Sequence, residues 1–160
     1  MAVDDIFIET PDGTIELDRQ SRYDVGHHST NIESLVFADV TLDDAGIRER
    51  AVADQATSGN DDIIGTRYSD VVAGGTGNDT LDGWLGDDVF LFSPGDGNDV
   101  VQGFNDGFDI IRFSGGPTQF SDLVISETAG DAVVTYNGTD TITVDKLVAS
   151  LLDQDDFQFV

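Results

Sequence analysis

Short apolar segments separated by glycine-rich turns dominate the middle of the chain. Apolar residues recur there as pairs or triplets with a nine-residue period, and each segment is too short for a helix. One residue of each segment is expected to face a common core, which predicts a mostly β fold of minimal strands in a regular coil. The predicted core positions are Ile63, Val72, Leu81, Phe90, Val101 and Ile111.

The flanking segments carry ordinary strand patterns and one helical pattern. Residues 6–8 and 14–17 predict a β-hairpin with its turn at Asp12-Gly13, and residues 32–40 predict a further strand. Residues 41–54 predict a helix with Thr41 as N-cap, because acidic residues follow in its first turn and Arg48 and Arg50 come later. Beyond the middle zone, three strands are predicted at 123–125, 132–136 and 141–144, with turns at 130–131 and 137–138.

These patterns divide the 160 residues into three predicted parts. Residues 1–55 form a small α+β cap or cargo segment, residues 56–112 the repetitive zone, and residues 113–160 a C-terminal β region. The middle part holds eleven Gly and eleven Asp. No apolar run approaches the roughly 20 residues needed to span a bilayer, so membrane insertion is not expected.

The charge of the chain changes the picture of its partners. It has 32 acidic and 7 basic residues, a net charge of -25, and no cysteine. A nucleic-acid partner is therefore not expected, because such a protein needs a basic face. Of the acids, 27 are Asp and 5 are Glu. Asp suits tight turns and is a hard oxygen ligand, so the bias indicates carboxylates held in turns around divalent cations.

The nine-residue repeat has the form Gly-Gly-x-Gly-x-Asp-x-(large apolar)-x. Its best copy is 74–82, with further copies at 58–64, 65–73, 83–91, 94–102 and 107–112. Gly-rich positions form a turn and the next three residues a strand, so two units, 18 residues, complete one turn of a flattened coil. Aspartates of alternate units then stack: Asp61, Asp79 and Asp99 on one side, and Asp70, Asp88 and Asp109 on the other.

Stacked carboxylates repel each other unless a cation lies between them. Turn carbonyls add further oxygen ligands, and such an all-oxygen cage suits Ca²⁺ better than Mg²⁺ or Zn²⁺. We expect several ions, roughly two to four. The predicted metal-site residues are Gly59, Asp61, Asp70, Gly74, Gly75, Gly77, Asp79, Gly83, Gly86, Asp88, Gly95, Gly97, Asp99 and Asp109.

The repeat resembles the repeats-in-toxin (RTX) family, the hemolysin-type calcium-binding nonapeptide of Gram-negative exoproteins. The resemblance covers about 56–112 and is complete at 74–82, whereas Thr66, Tyr68 and Trp84 replace turn glycines. It implies a calcium-stabilised parallel β-roll extended by a C-terminal β-sandwich. It also implies an acidic and apolar ending recognised by type I secretion machinery, which residues 156–160 resemble.

The expected function is that of a secreted, extracellular, non-enzymatic protein whose folding is coupled to external Ca²⁺. Asp61-Asp62 and Asp87-Asp88 are acidic pairs, but no base, nucleophile or cleft accompanies them, so catalysis is not expected. Three alternatives stay open. They are a calcium-dependent module that binds a polysaccharide such as a polyuronate, a structural or adhesive surface protein, and an acidic salt-adapted domain with no specific ion.

Two minor expectations concern side chains outside the repeat consensus. Trp84 and Tyr68 are expected to lie on opposite turns and to pack, rather than to form a sugar-stacking platform. Asp82 and Asp96 are expected to be ordinary turn or surface acids.

Overall fold

The computed structural model describes the backbone of residues 6–10, 13–17, 34–36 and 41–160, and the side chains of residue 46 and residues 48–160. By contacts the chain divides into two compact units, residues 1–31 and residues 32–160. The predicted boundaries near residues 55 and 112 stay a prediction.

The first unit contains the predicted hairpin. Strand β1 (Ile6–Thr10) pairs antiparallel with β2 (Gly13–Leu17), so that Thr10 lies opposite Gly13. Gly13 therefore belongs to the second strand, and residue 12 lies outside the described residues.

The second unit begins with a small antiparallel pair and the only α-helix of the described residues; short 3-10 helices follow later, at Phe120–Asp122, Ala149–Leu151 and Gln154–Asp156. Strand β3 (Ser34–Val36) pairs with β4 (Thr41–Asp43), and helix α1 follows directly (Asp44–Ala53). The prediction of Thr41 as N-cap is wrong, because residues 41–43 are extended and pair with β3. Val52 of α1 is buried in the same core as the repeat strands, so the helix covers that core.

The repeat strands form two parallel sheets that the chain visits alternately. The first sheet contains β5 (Asp62–Ile64), β7 (Thr80–Asp82) and β9 (Asn98–Gln102), and the second contains β6 (Val71–Val72), β8 (Val89–Phe92) and β10 (Ile110–Phe113). Leu81 pairs with Ile63 one coil turn away, and Phe90 pairs likewise with Val72. The predicted 18-residue coil is thus confirmed, with 20 or 21 residues per turn where insertions occur.

The C-terminal strands continue these two sheets. Strands β11 (Val124–Thr128), β12 (Asp131–Tyr136) and β13 (Asp140–Val144) form an antiparallel meander, and β13 pairs parallel with β9. Strand β14 (Phe157–Phe159) pairs parallel with β10. The C-terminal sandwich is therefore an extension of the β-roll, and the predicted mostly β fold is confirmed.

One hydrophobic core runs between the two sheets. The six predicted inward positions of the repeats are all fully or almost fully buried. Towards the C-terminal end the core becomes aromatic, with the ring of Tyr136 4.9 Å from that of Phe113. Because inward positions alternate with outward ones along each strand, both sheets contribute to this core and the turns lie at its edges.

Candidate metal centre

The first stack of turns brings together Asp61, Asp79 and Asp99. The backbone N–H of Asp61 donates to Oδ1 of Asp79 over 2.9 Å, and the N–H of Asp79 donates to Oδ1 of Asp99 over 2.9 Å. The carboxylates of Asp79 and Asp99 therefore each reach into the neighbouring turn. The three residues occupy consecutive levels of one stack.

The second stack repeats this arrangement with Asp70, Asp88 and Asp109. Oδ1 of Asp88 accepts from the N–H of Asp70 at 2.9 Å, and Oδ1 of Asp109 accepts from the N–H of Asp88 at 2.8 Å. Parallel strand pairing sets this geometry, because β6, β8 and β10 begin directly after these residues.

The second carboxylate oxygen separates five of these six aspartates, all but Asp88, into two groups. In Asp61, Oδ2 accepts from the backbone N–H of Thr57 at 2.7 Å and from its hydroxyl at 2.8 Å. Thr66 bonds Oδ2 of Asp70 in the same way, and Asn105 donates its backbone N–H to Oδ2 of Asp109. These carboxylates are satisfied by the residue four positions earlier in their own loop.

Asp79 and Asp99 differ, because their Oδ2 atoms are buried and have no hydrogen-bond partner. The two residues are 1% and 2% exposed. A glycine, Gly75 or Gly95, stands four positions before each, and no N–H bonds Oδ2. An unpartnered buried charge is costly, so these two oxygens are the strongest indication of a bound cation in the described residues.

Several of the turn positions require glycine because carboxylate or carbonyl atoms of neighbouring residues lie where a side chain would begin. A Cβ atom on Gly74 would overlap the carboxylate of Asp79, and one on Gly83 would overlap that of Asp88. Gly77 and Gly97 have positive φ, and a Cβ on Gly97 would overlap the carbonyl of Gly77. The other predicted glycines lie in the same turns: Gly59, whose carbonyl faces Gly77, and Gly75, Gly86 and Gly95, all three with positive φ.

The available donors fit Ca²⁺ in kind. Among the described side chains, no three Asp, Glu or His groups are already gathered in ligand positions. Main-chain carbonyls would therefore have to complete any site, and the closely stacked turns carry many of them. Carboxylate and carbonyl oxygens are the donors that this hard cation prefers.

In and beside the two stacks, several aspartate carboxyl groups have raised pKa values. Burial, followed by nearby carboxylates, raises the pKa of Asp88 to about 6 and that of Asp99 to about 6. Burial also raises the pKa of Asp96 and that of Asp109. The described ion pairs, Arg50–Asp54 and Lys146–Asp145, involve none of these four acids.

Sequence reasoning missed two acids beside the first stack. Asp96 accepts from the N–H of Ser93 as a turn acid does, but it is 8% exposed and so is not a surface acid. Asp82 is half-buried and accepts from the N–H of Trp84, also as a turn acid does. Asp140, at the start of β13, is 7% exposed and accepts from the N–H of Gly95 at 2.7 Å. No repeat signal marks Asp140, because strand pairing alone brings it to the loop.

Trp84 and Tyr68 also depart from expectation. They are 60% and 42% exposed, and their turns are neighbours in the second stack, since the N–H of Leu85 donates to the carbonyl of Thr66. The prediction of opposite turns and packing is wrong, because their separation is close to one full coil turn. The guanidinium of Arg48 lies 4.1 Å from the centre of the Tyr68 ring.

Together the fold and the stacked turns define a parallel β-roll with acidic, glycine-rich turns. Residues 55–90 match the RTX calcium-binding nonapeptide repeat in four copies. A comparison with curated proteins finds no sequence match. No helix within the described ranges is long and apolar enough to cross a bilayer.

Two solved structures are similar. One is the AlgE6R3 subunit of the Azotobacter vinelandii mannuronan C5-epimerase, with 23% identity, a TM-score of 0.44, and coverage of 65% of this chain and 75% of that one. The other is the extracellular lipase LipA of Serratia marcescens, with 20% identity, a TM-score of 0.54, and coverage of 98% of this chain. The chain spans 26% of the length of that lipase, and this likeness concerns the fold alone.

Proposed function

We propose that this protein is a non-enzymatic calcium-binding RTX module whose folding is coupled to extracellular Ca²⁺. The observation that carries the proposal is the pair of buried, unpartnered oxygens on Asp79 and Asp99. They lie in the first stack, and the loop of Asp79 falls inside the matched repeat segment. Asp79, Asp99 and carbonyls of the intervening turns would hold the ion.

The predicted consequence follows from the charge of the chain. At a net charge of -25, self-repulsion and crowded carboxylates destabilise the compact state. Bound Ca²⁺ supplies positive charge between those carboxylates. A site whose dissociation constant lies 100-fold below the ambient concentration stabilises the fold by about 2.7 kcal/mol. Two or more such sites amount to a large part of the typical stability of a domain.

A Ca²⁺ titration followed by far-ultraviolet circular dichroism tests this function. The chain stripped of divalent ions is expected to be loosely folded and to gain β signal cooperatively as Ca²⁺ is added. Mg²⁺ at the same concentration is the control, with Na⁺ at matched ionic strength. A spectrum that is fully β without Ca²⁺ and unchanged by it would contradict the proposal and favour a salt-adapted domain.

The proposal includes export by type I secretion machinery to the exterior of a Gram-negative bacterium. The matched RTX repeat supports it. Residues 156–160 would be the recognised segment. In the folded chain Phe157 is buried and β14 pairs with β10, so this segment would be accessible only before the roll forms. A loose, calcium-free chain inside the cell fits that requirement.

A second candidate function, binding of an anionic polysaccharide, is favoured by the exposed aromatic residues of the second stack. Trp84 keeps a positive φ of 67° and a largely exposed ring. Tyr68 lies on the adjacent turn, and Arg48 of α1 and the neighbouring Arg67 lie over its ring. Exposed rings beside guanidinium groups suit a sugar that carries carboxylates.

Replacing Trp84 by glycine tests this candidate. Glycine accepts the positive φ and restores the repeat consensus, so Trp84→Gly is expected to keep the calcium response. Binding to an immobilised polyuronate is expected to fall at least about tenfold, the loss of roughly 1.4 kcal/mol. Val124→Thr, which changes an exposed apolar residue on β11, is the control. Equal retention of Trp84→Gly and the control would exclude this surface.

A further inference from the structure

We propose that the loop 93–99 and the turn 137–140 form a Ca²⁺ site of their own, in which Asp96, Asp99 and Asp140 supply the carboxylates. The site rests on the proposed calcium-dependent function but lies beyond the matched repeats. It would fasten the C-terminal meander β11–β13 to the roll.

The C-terminal turn takes the position of a next repeat in the first stack. The N–H of Thr141 donates to the carbonyl of Gly97 at 3.0 Å, and β13 continues the sheet beside β9. The side chain of Asp140 then reaches down into the loop, where its Oδ2 accepts from the N–H of Gly95. Like Asp99 of the repeats, Asp140 thereby reaches into the turn before its own, but it accepts from the N–H of Gly95 rather than from that of the preceding aspartate.

The carboxylates around this loop are buried and of one sign. Asp96 uses its Oδ2 to accept from the N–H of Ser93, and Asp99 uses its Oδ1 to accept from the N–H of Asp79. Oδ2 of Asp99 has no partner. Asp140 bonds Gly95 and Asp96 bonds Ser93, both in the loop that ends at Asp99, which places the three groups in one neighbourhood.

The occupant of this neighbourhood follows from its chemistry. The three buried carboxylates take part in no ion pair of the described residues, and Asp140 is met only by hydrogen bonds, from Asn137 and Thr139 as well as Gly95. A cation would offset their charge, and oxygen donors of this kind suit Ca²⁺. The hydrogen bonds from Ser93 and Gly95 hold two of the carboxylates against the loop. Since the three acids are not gathered at ligand distances, side-chain rotation would accompany binding.

Counting bound ions tests the site. Asp140→Asn keeps an oxygen acceptor for Gly95 but removes the charge. Calorimetric titration with Ca²⁺ is expected to give one ion fewer than the unaltered chain. Asp155→Asn, which removes one charge from an exposed side chain, is the control and should keep the full count. An unchanged count for Asp140→Asn would overturn the site.

Thermal melting distinguishes a metal site from a structural hydrogen bond. In calcium-free buffer, Asp140→Asn is expected to melt at the same or a higher temperature than the unaltered chain, because a like charge is gone. In Ca²⁺ it is expected to melt lower. If it melts lower in both buffers, Asp140 is only a structural acceptor and the site is refuted.

Terbium luminescence gives a readout that needs no substitution among the ligands. Tyr136 lies beside the site: its hydroxyl faces the carbonyl of Ser93, and Asp96, Asp99 and Asp140 all act on it. In a background that carries Trp84→Gly and Tyr68→Phe, Tyr136→Phe is expected to remove most of the sensitised Tb³⁺ emission with the ion count unchanged. Full emission after that change would overturn the site.

Asp79→Asn, run in parallel, separates this proposal from the broader function. Loss of an ion in Asp79→Asn but not in Asp140→Asn would refute the junction site alone. Absence of any calcium binding in the unaltered chain would refute the proposed function itself.

Discussion

Asp79→Asn is expected to abolish most of the calcium-driven stabilisation of the roll. Asp79 reaches Asp61 through Oδ1, while its own N–H donates to Asp99, so it takes part in two levels of the stack. If two sites are lost, each worth about 2.7 kcal/mol at 100-fold excess over its dissociation constant, roughly 5 kcal/mol disappears. The Ca²⁺ midpoint of the circular dichroism transition should then rise by more than tenfold.

Without calcium, the same substitution is expected to have the opposite effect on the stability of the fold. Asparagine keeps an acceptor for the N–H of Asp61 and removes one buried negative charge beside Asp96 and Asp99. In calcium-free buffer the variant should therefore be at least as stable as the unaltered chain, as measured by thermal melting. Asp62→Asn removes an exposed charge on β5 and is the control. A normal calcium midpoint for Asp79→Asn would show that the unpartnered oxygen is not a ligand.

The coil itself was predictable because its determinants are local and periodic. Each repeat carries its own turn glycines, its aspartate and its inward apolar residue. Equivalent positions of the repeat therefore take equivalent positions in the coil. Leu81 pairs with Ile63 as the 18-residue period requires. The same regularity predicted that Asp61, Asp79 and Asp99 would stack.

The ranking of the sites within the stack was not predicted, although a local signal existed. The consensus is complete at 74–82, the repeat of Asp79, but Thr57 satisfies both oxygens of Asp61, which stacks beside Asp79. A residue four positions before the aspartate closes the loop on itself where its backbone N–H donates to Oδ2, as in Thr57, Thr66 and Asn105. Glycine at that position, as in Gly75 and Gly95, leaves the second oxygen of the carboxylate without a partner.

Asp140 could not be found from the repeat, because a non-local strand pairing places it. Its turn meets the loop 93–99 only because β13 adds to the edge of the roll at β9. Trp84 illustrates the reverse case. Its loop has the shape imposed by the stacked turns, so a bulky residue takes a positive φ and its ring stays exposed.

Stability is expected to respond to pH in opposite directions with and without calcium. Burial raises the pKa of Asp88 and that of Asp99 from 3.8 to about 6, so the folded chain favours their protonated forms. Without Ca²⁺, this contribution is fully present below the unfolded pKa and is lost as the pH rises through about 6. Each carboxyl group contributes on the order of 2–3 kcal/mol to this loss.

With Ca²⁺ the pH dependence of stability reverses, because the carboxylates must be deprotonated to bind the ion. Calcium affinity should therefore fall as the pH is lowered through about 6, and the stability of the calcium-bound chain with it. Thermal melting between about pH 5 and about pH 8 measures the pH dependence of stability both without and with Ca²⁺, here called the calcium-free limb and the calcium-bound limb. The buffers should be stripped of Ca²⁺ by resin, since chelators bind it weakly in acid. The two melting curves are expected to approach each other towards low pH and to separate at neutral pH.

Substitution of one buried carboxyl group, compared with an exposed control, shows whether the buried acids cause this dependence of stability on pH. General self-repulsion of a chain with a net charge of -25 also weakens the fold as the pH rises. Asp99→Asn removes one titrating group from the first stack, so the calcium-free limb should become flatter between about pH 5 and about pH 7. Asp62→Asn lowers the net charge equally but leaves the buried acids in place, and should keep the steep limb. Equal flattening by both substitutions would assign the pH response to net charge, and the buried carboxylates would then not be the groups that calcium has to neutralise.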